Sequence, residues 1–500
     1  MSFDFLWQGF GVALMPQNLL IALIGCFLGT VIGCLPAIGP INGIALLLPI
    51  AYTAGLPPES TLILLASIYY GAEYGGRISS ILLNVPGDAG AVMTAIDGYP
   101  MARNGEAVKA LAISGISSFY GGMIAVVAMT FLAVPLSLLA IKFGPAEYFV
   151  LMVFAFATLG SMVGAEPVKT LIGCVLGLML TTIGIDATSG AYRFTFDQPE
   201  LHDGIEFIIL VIGLFSISEV LLMLEHKMKG TLKPLAVTGS YPSWSEIRYI
   251  WWPSFRATVI GFIIGVLPGT GASVASAVSY TTEKRISDRE STFGKGDIRG
   301  LAAPEAANNA AATGAFVPML ALGVPGSGTT AVMLGALMLY NIQPGPQLFV
   351  EQSKLVGGLI ASMYVGNIIL LVMNLPLVQL FARMLLMPNW ILIPAITALS
   401  ILGVYTAYSS VMSVMIMFGI GIVGYILRKL GFDMAPIILG FVLGKVMEVN
   451  LRNALAISGG EYSILFASPL SITLWVMAAM VVILPWWRRR KRAAPPGLPG

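Results

Sequence analysis

Four short proline-glycine motifs are the residues of this sequence whose types and positions point to binding chemistry. The first two are GCLPAIG at 33–39 and NVPGDAG at 84–90. The other two are GVLPGTG at 265–271 and GVPGSGT at 323–329. Each motif lies in an apolar stretch, where proline removes a backbone donor and glycine permits a sharp turn. We therefore expect each motif to stop a helix and to leave backbone groups free to bind a ligand.

A helix that begins after such a break directs free N–H groups and the positive end of its dipole toward the break. This arrangement suits an anion such as a carboxylate. Small polar residues beside the motifs offer oxygen atoms to a cation and hydrogen-bond donors to a substrate. For any single residue, close packing of small side chains between helices is the competing interpretation.

The candidate site is the set of residues in and beside the four motifs. The predicted substrate-binding residues are Pro36, Ala37, Ile38, Gly39, Asn42, Arg77, Ser79, Ser80, Asn84, Pro86, Gly87, Pro268, Gly269, Thr270, Gly271, Asn308, Asn309, Pro325, Gly326, Ser327, Gly328 and Thr329. The predicted ion-coupling residues are Asp88, Asn84 and Thr330.

Several ionisable residues lie within apolar sequence, where each charge is costly. Arg77 could neutralise a substrate carboxylate, or it could pair with Glu73, four residues earlier on the same helix face. Asp88 lies in a break and could ligate a cation or carry a proton. Asp97 better fits a loop or a helix cap. Glu305, in the second half, is a candidate for the same roles as Asp88.

The sequence contains no recognisable catalytic set or metal cluster. His202 and His226 stand alone in polar links, and Cys26, Cys34 and Cys174 lie in apolar segments without metal-ligand spacing. The glycine-rich third motif lacks the lysine and the strand context of a phosphate-binding loop. We therefore expect a protein that is not an enzyme and has no cofactor or metal, apart from a sodium ion or a proton as the coupling ion.

The elements that carry these residues must cross a membrane. Of the 500 residues, 57% are hydrophobic and only 10% are charged. The charge-free runs are 110–141, 257–282, 306–350, 355–382, 384–427 and 462–487. Each is longer than the roughly 20 residues that cross a bilayer, so we expect an all-α integral membrane protein with about 12 transmembrane elements, some broken or re-entrant.

The order of the motifs is the same in both halves, which predicts an internal duplication. The link 53–60 has no Lys or Arg, whereas its counterpart in the second half, 284–299, contains five. Because basic loops lie in the cytoplasm, the two copies should have opposite orientations, as in the inverted repeats of secondary transporters. We expect an elevator-like transporter in which a mobile part carries the four breaks.

This duplication predicts a domain organisation. The predicted units are a first transmembrane repeat at 1–223, a cytoplasmic connector at 224–256, a second transmembrane repeat at 257–487 and a basic, disordered cytoplasmic tail at 488–500. Trp486 and Trp487 precede five consecutive basic residues, which places the C-terminus in the cytoplasm.

Three sequence motifs resemble those of a known transporter family. YYGAEYGG at 69–76, ILLNVPGD at 81–88 and DGYPMA at 97–102 are similar to the large membrane subunit of tripartite tricarboxylate transporters, the TctA family. Residues 265–271 and 323–330 resemble its second half. The resemblance implies carboxylate uptake across the bacterial inner membrane, driven by sodium or protons. It also implies a periplasmic substrate-binding protein and a small membrane subunit as partners.

One departure from the family pattern bears on the substrate. Many relatives have Ser-Thr-Thr where this chain has Arg77, Ile78 and Ser79, so the expected substrate is broadened to a mono-, di- or tricarboxylate. The other expected partners are the lipid bilayer and, as an open alternative, a second copy in a homodimer; nucleic acid is not expected. The alternative functions are a gated anion channel, which could also use broken helices, and a membrane-embedded enzyme, which the motifs disfavour.

The inverted orientation predicts which loops face the same compartment. Cysteines introduced at Pro57 and Lys295 should react with a membrane-impermeant thiol reagent from opposite sides of the membrane, because only the second loop is basic. The measurement is labelling in intact cells and in inverted vesicles. Labelling of both positions from one side would exclude an inverted repeat.

Overall fold

A computed structural model of the chain describes residues 4–35, 38–162, 167–186, 189–225, 234–269, 271–345 and 347–493. Helices dominate this part of the chain, as predicted for an all-α membrane protein. The described residues contain one small sheet, in which strands β1 (Gly184–Ile185) and β2 (Tyr192–Arg193) pair antiparallel with Gly184 opposite Arg193.

The first half contains ten helical segments. They are α1 (Asp4–Ala13), α2 (Pro16–Cys34), α3 (Gly39–Thr53), α4 (Pro58–Leu83), α5 (Val92–Arg103), α6 (Ala107–Ala140), α7 (Pro145–Met162), α8 (Pro167–Thr181), α9 (Phe207–Val211) and α10 (Ser218–Glu225). A π-helical segment, Ile212–Ile217, joins α9 to α10, and a 3-10 turn covers Pro199–Leu201.

The second half contains thirteen further helices. They are α11 (Trp244–Tyr249), α12 (Trp251–Val266), α13 (Gly271–Ser287), α14 (Ile298–Gly314), α15 (Phe316–Leu322), α16 (Gly328–Leu339), α17 (Leu348–Glu351), α18 (Ser353–Asn374), α19 (Val378–Met384), α20 (Asn389–Tyr408), α21 (Val411–Lys429), α22 (Ala435–Ile457) and α23 (Pro469–Ala493). A 3-10 turn at Tyr462–Phe466 precedes α23.

Six helices of the described chain are long and apolar enough to cross a membrane, and five shorter apolar helices of 10–17 residues accompany them. Many apolar side chains on α2, α8, α20, α21 and α23 are exposed, as lipid-facing surfaces require. In contrast, α4 and α14 are buried along almost their whole length. The two halves therefore place α4 and α14, which are rich in small and polar residues, away from lipid.

Each proline-glycine motif coincides with a break between two helices. α2 ends at Cys34, the second residue of the first motif, and α3 begins at the last residue of that motif, whereas the second motif separates α4 from α5. The third motif separates α12 from α13, and the fourth separates α15 from α16. The backbone equivalence is close: Gly39 and Gly271 begin their helices with φ of 65° and 67°. Only glycine adopts this left-handed conformation without strain.

In each half, glycines let the helix that precedes the first break pack directly on the long buried helix. These pairs are α2 on α4 and α12 on α14. A Cβ atom on Gly33 of α2 would lie 2.1 Å from the Ala72 carbonyl oxygen of α4. In the second half, a Cβ atom on Gly265 of α12 would lie 2.3 Å from the Ala311 carbonyl oxygen of α14. The same pair of helices thus makes the same backbone contact in both halves, and residue 72 corresponds to residue 311.

The segment between the halves packs on the first half. Leu235 N–H donates to the Leu82 carbonyl at 3.0 Å, and Lys109 pairs with Glu246 at 3.0 Å. Hydrogen bonds from the Ser243 backbone N–H and hydroxyl, followed by Lys109, lower the pKa of Glu246 to about 2. The connector predicted at 224–256 therefore contains an anchored stretch, and α12 begins within it.

The C-terminus differs from the predicted disordered tail over its first residues. α23 continues through the basic run to Ala493, since arginine and lysine are good helix formers. The last seven residues, 494–500, lie outside the described residues.

The close glycine contacts predict a specific stability effect. Gly33→Ala and Gly265→Ala should each lower the thermal unfolding midpoint, because a Cβ atom would meet a backbone carbonyl and overpacking costs about 1–3 kcal/mol. Gly419→Ala on α21 is the matched control, since a Cβ atom there meets nothing within 4 Å. Equal unfolding midpoints for the three variants, measured by fluorescence-detected thermal denaturation, would contradict the packing.

Candidate functional site

One cavity of about 720 Å³ touches all four breaks. The first break contributes Ile38 and Gly39, and the second contributes the segment 86–90. The third contributes Gly269 and Gly271, and the fourth contributes the segment 327–329. Breaks that lie up to about 290 residues apart in the sequence, as Gly39 and Thr329 do, therefore line one cavity.

The first residue of every helix that follows a break lines this cavity. These residues are Gly39 of α3, Val92 of α5, Gly271 of α13 and Gly328 of α16. The four helices therefore direct their N-terminal N–H groups and positive dipole ends to one place. Helix N-termini grouped in this way suit an anion even where no lysine is buried.

The second break of each half, at the second and the fourth motif, has the same geometry around a capping side chain. Asp88 Oδ1 accepts from the Ala91 N–H at 2.8 Å, and Ser327 Oγ accepts from the Thr330 N–H at 3.2 Å. A Cβ atom on Gly326 would lie 2.6 Å from the Ala315 Cα, as one on Gly87 would lie 2.7 Å from the Gly76 Cα. Asp88 and Ser327 are therefore equivalent positions, one with a carboxylate and the other with a hydroxyl.

The long buried helix of each half reaches the second break of the other half. Tyr69 of α4 places its hydroxyl 3.4 Å from Ser327 Oγ. Asn308 of α14 lies against Gly90, where an added Cβ atom would meet its amide oxygen at 2.3 Å. Since residue 72 corresponds to residue 311, Tyr69 and Asn308 are equivalent, and the halves interlock at the cavity.

About half of the predicted substrate-binding residues line the cavity. Those that the structure brings together are Ile38, Gly39, Asn42, Pro86, Gly87, Gly269, Gly271, Ser327, Gly328 and Thr329, with the predicted ion-coupling residue Asp88. Pro36, Ala37 and Thr270 lie outside the described residues.

The other predicted residues do not line the cavity; they lie behind its lining residues or farther away. Ser79 and Ser80 are buried and donate to the Gly76 carbonyl, and Ser80 also donates to the Ala91 carbonyl. Asn309 donates to the Glu305 carbonyl. The Gly76 and Glu305 carbonyls lie within α4 and α14, so these side chains bond back to their own helices, and Ser80 also ties α4 to the start of α5.

Backbone geometry explains the other supporting positions. Asn84 caps α4 with φ 56°, a left-handed conformation that Gly323 provides at the end of α15 with φ 69°. The Pro268 carbonyl accepts from Thr158 Oγ1 at 2.8 Å. Pro325 is buried, and the Gly326 carbonyl accepts from the Gly269 N–H at 3.0 Å, which ties the third break to the fourth.

Two residues predicted to bind the coupling ion therefore lie off the cavity wall. Asn84 is exposed at the end of α4. Thr330 is fully buried, and its Oγ1 accepts from the Ser327 N–H at 2.9 Å. Of the predicted ion-coupling residues, the cavity contains only Asp88.

Arg77 is buried in α4, at 1% exposure, and does not line the cavity. Its guanidinium donates to the Leu111 carbonyl at 2.6 Å and to Ser114 Oγ at 2.8 Å, and it lies 3.4 Å from Asn374 Oδ1. Within the described chain it forms no ion pair with Glu73. Neither of the two roles considered from sequence matches these contacts, which instead join α4 to α6 and α18.

Asp97 and Glu305 are buried and hydrogen-bonded between the halves. Asp97 on α5 accepts from the backbone N–H groups of Gly294, Gly296 and Asp297 at 2.8–2.9 Å. Its carboxylate therefore holds the α13–α14 loop rather than its own helix end. Glu305 on α14 accepts from Thr94 and from Ser118, so it also lies outside the cavity wall.

The cavity also contains residues that were not among the predicted site residues. Tyr69 and Glu73 of α4 line it, together with Ser273 of α13, and Phe215 from the π-helical segment lies opposite. The sequence offered a signal for Glu73, because a charged residue in an apolar helix is a candidate for a functional site. It offered no signal for Phe215, because a π-helical turn gives no simple sequence pattern.

A basic residue lies at the cavity, but it comes from a distant helix. Arg428 of α21 lines the wall and pairs with Glu219 of α10. Asp433 follows it on the same wall and is exposed. The ion pair with Glu219 therefore neutralises the positive charge of Arg428.

The fold and the site define a class: a multi-pass, all-α membrane protein with broken helices around a ligand-sized cavity. Residues 19–439 match the tripartite tricarboxylate transporter TctA family, and the chain belongs to this family. The family predicted from the sequence motifs is thus confirmed, and it is a family of transporters.

Two relatives from Agrobacterium vitis are similar over long stretches. The "Uncharacterized 52.8 kDa protein in TAR-I ttuC' 3'region" is 41% identical over 476 residues, which cover 95% of this chain and 94% of the relative. The "Uncharacterized protein in TAR-II ttuC' 3'region" is 42% identical over 224 residues, which cover 45% of this chain and 93% of the relative. No solved structure matches the chain at a significant level.

The position of Arg77 predicts a structural effect of its removal. Arg77→Ser should lower the thermal stability of the protein, because it removes hydrogen bonds to Leu111, Ser114 and Asn374 at the centre of three helices. It should leave the order of competition among carboxylates unchanged, since the side chain is off the cavity. Thr329→Ala, which alters the wall itself, is the matched variant. A changed order of competition in Arg77→Ser alone would place Arg77 in substrate selection.

Proposed function

We propose that this protein is an ion-coupled secondary transporter that takes up small organic carboxylates across the bacterial inner membrane. In this proposal it is the large subunit of a binding-protein-dependent tripartite transporter. A sodium ion or a proton supplies the driving force. The observation that carries the proposal is the meeting of four helix N-termini at one cavity.

The cavity has the size and chemistry that a small carboxylate requires. Its volume of about 720 Å³ lies within the usual range for small-molecule sites. The hydroxyls of Ser273, Ser327 and Thr329 lie on the wall formed by the second half, beside the first turns of α13 and α16. Helix N–H groups and hydroxyls recognise carboxylate oxygens without discriminating strongly by chain length, which suits mono-, di- and tricarboxylates.

The proposed transport cycle uses the two halves as inverted repeats. Each half contributes two breaks to the cavity, and equivalent glycines make equivalent contacts in both halves. Sites of this kind lie near the middle of the membrane at the interface between repeats. The segments that carry the four breaks would move together, as in an elevator, and carry the bound carboxylate past the remaining helices.

The described arrangement fits a state that is open to the cytoplasm. Exposed residues of the cavity wall include Val92 and Asp433, and Asp433 follows the basic end of α21. On the other side, the Tyr340 hydroxyl lies 2.8 Å from Thr61 Oγ1 and donates to the Leu56 carbonyl at 3.1 Å. The link 53–60 lacks basic residues and belongs to the periplasmic side under the proposed topology.

The proposed assembly contains the partners that the family name implies. A small membrane subunit would lie beside the exposed apolar helices, and a periplasmic substrate-binding protein would deliver the carboxylate. The C-terminal basic run would lie in the cytoplasm, where it suits the anionic membrane surface.

Coupled uptake is the direct test of this function. The chain, reconstituted in liposomes with its small subunit and binding protein, should accumulate a radiolabelled carboxylate against its gradient when an inward sodium or proton gradient is imposed. Collapsing the gradient with an ionophore is the control and should abolish accumulation. Flux that only ever runs down the carboxylate gradient would identify a gated anion channel instead.

A further inference from the structure

Two carboxylates face the proposed carboxylate site, although the substrate is itself an anion. Glu73 and Asp88 both line the cavity, and Glu73 is only 3% exposed. Asp88 packs against Gly76, where an added Cβ atom would lie 2.4 Å from Asp88 Oδ2. Since Gly76 lies one helical turn after Glu73, Asp88 packs against the face of α4 that carries Glu73.

Each of these carboxylates has a buried oxygen without a hydrogen-bond partner. The atoms are Glu73 Oε2 and Asp88 Oδ2. In the part of the chain that the structure describes, neither group forms an ion pair. Arg77 directs its guanidinium to α6 and α18, and Arg428 is paired with Glu219. A buried charge without a partner is costly, so this pair must be neutralised by a proton or by a bound cation.

An amide from the second half completes the cluster. Asn308 is fully buried, packs against Gly90 and interacts with the Glu73 carboxylate, without the geometry of a normal hydrogen bond. Its Oδ1 has no donor among the described residues, and a buried oxygen without a partner costs about 1–3 kcal/mol. A bound cation would offset this cost.

We propose that Glu73, Asp88 and Asn308 form a sodium site, and that sodium must bind there before the cavity accepts a carboxylate. Carboxylate and amide oxygens are the ligands that hard cations prefer. A proton could neutralise one carboxyl group, whereas a sodium ion could satisfy oxygens of all three side chains at once. The inference rests on the proposed transport function and names its coupling ion.

Charge balance explains the order of binding. Without a cation, two carboxylates oppose the entry of an anion. A single sodium ion removes one negative charge, and the four helix N-termini, each equivalent to about half a positive charge, then make the cavity attractive to a carboxylate. Sodium would thus act as an obligatory first ligand.

The second half cannot form an equivalent site. The matched glycine contacts define equivalent positions in the two halves. Ala312 is equivalent to Glu73, Ser327 to Asp88 and Tyr69 to Asn308. The Ser327 hydroxyl is already engaged by the Thr330 N–H. The cation site therefore belongs to the wall around the second motif, and the hydroxyl-bearing wall around the fourth motif is left for the anion.

Sodium binding without substrate is the decisive measurement. The purified complex of the chain with its small subunit should be stabilised against heat by sodium chloride but not by potassium or choline chloride. Glu73→Gln, Asp88→Asn and Asn308→Ala should each raise the apparent sodium Kd by about tenfold or more, since the loss of about 1.4 kcal/mol is tenfold. Ser273→Ala, on the cavity wall but outside the cluster, should leave the sodium Kd unchanged.

The controls distinguish three outcomes: a variant that does not fold, a complex that does not transport carboxylate, and a cluster that does not bind sodium. Glu73→Asp retains the charge and should keep sodium binding if Glu73→Gln proves unstable on size-exclusion chromatography. Unchanged sodium Kd values in the folded variants would overturn the site. Uptake driven by a pH gradient without any sodium stabilisation would also overturn it, while leaving the transport function intact. Sodium binding by a complex that moves no carboxylate would instead refute the transport function alone.

Discussion

The need to satisfy interrupted backbone away from lipid governs this structure. A helix that stops inside the membrane region exposes N–H and C=O groups, and hydrocarbon offers them no partner. Here the four breaks meet one another and a shared cavity, and neighbouring groups supply the missing bonds. The Gly326 carbonyl accepts from the Gly269 N–H, and the Ala91 N–H after the second break donates to Asp88 Oδ1. The central position of α4 and α14 follows, since these helices shield the breaks.

Close helix packing makes this arrangement geometrically feasible. Glycines at equivalent positions of α2 and α12 allow backbone contact with α4 and α14, so the ends of these helices reach the cavity together. Small residues serve the same purpose in many membrane proteins, where the hydrophobic effect does not drive helix association. The glycines of this chain therefore position the site as well as stabilise the fold.

The two halves share a backbone plan but differ in charge. The first half carries Glu73 and Asp88 beside its breaks, whereas the second half carries the hydroxyls of Ser273, Ser327 and Thr329 beside its breaks. Each half also reaches into the other through Tyr69 and Asn308. In the proposed transporter, a symmetric backbone with asymmetric side chains would let one cavity hold a cation and an anion.

The amino-acid sequence by itself determined the membrane character, the four breaks and the family. These features depend on local composition and on backbone chemistry, and proline and glycine act where they stand in the chain. It also singled out Asp88, a carboxylate within a break, and this residue lines the cavity.

Only the tertiary structure decided which side chains face the cavity. Arg77 and Glu73 lie one helical turn apart in sequence, yet Glu73 lines the cavity and Arg77 bonds to α6 and α18. Asn84 looked like a ligand from its motif, but it provides the left-handed end of α4. The physical reason is that helix rotation and inter-half packing set side-chain direction. Both depend on contacts between residues hundreds of positions apart, which no local pattern records.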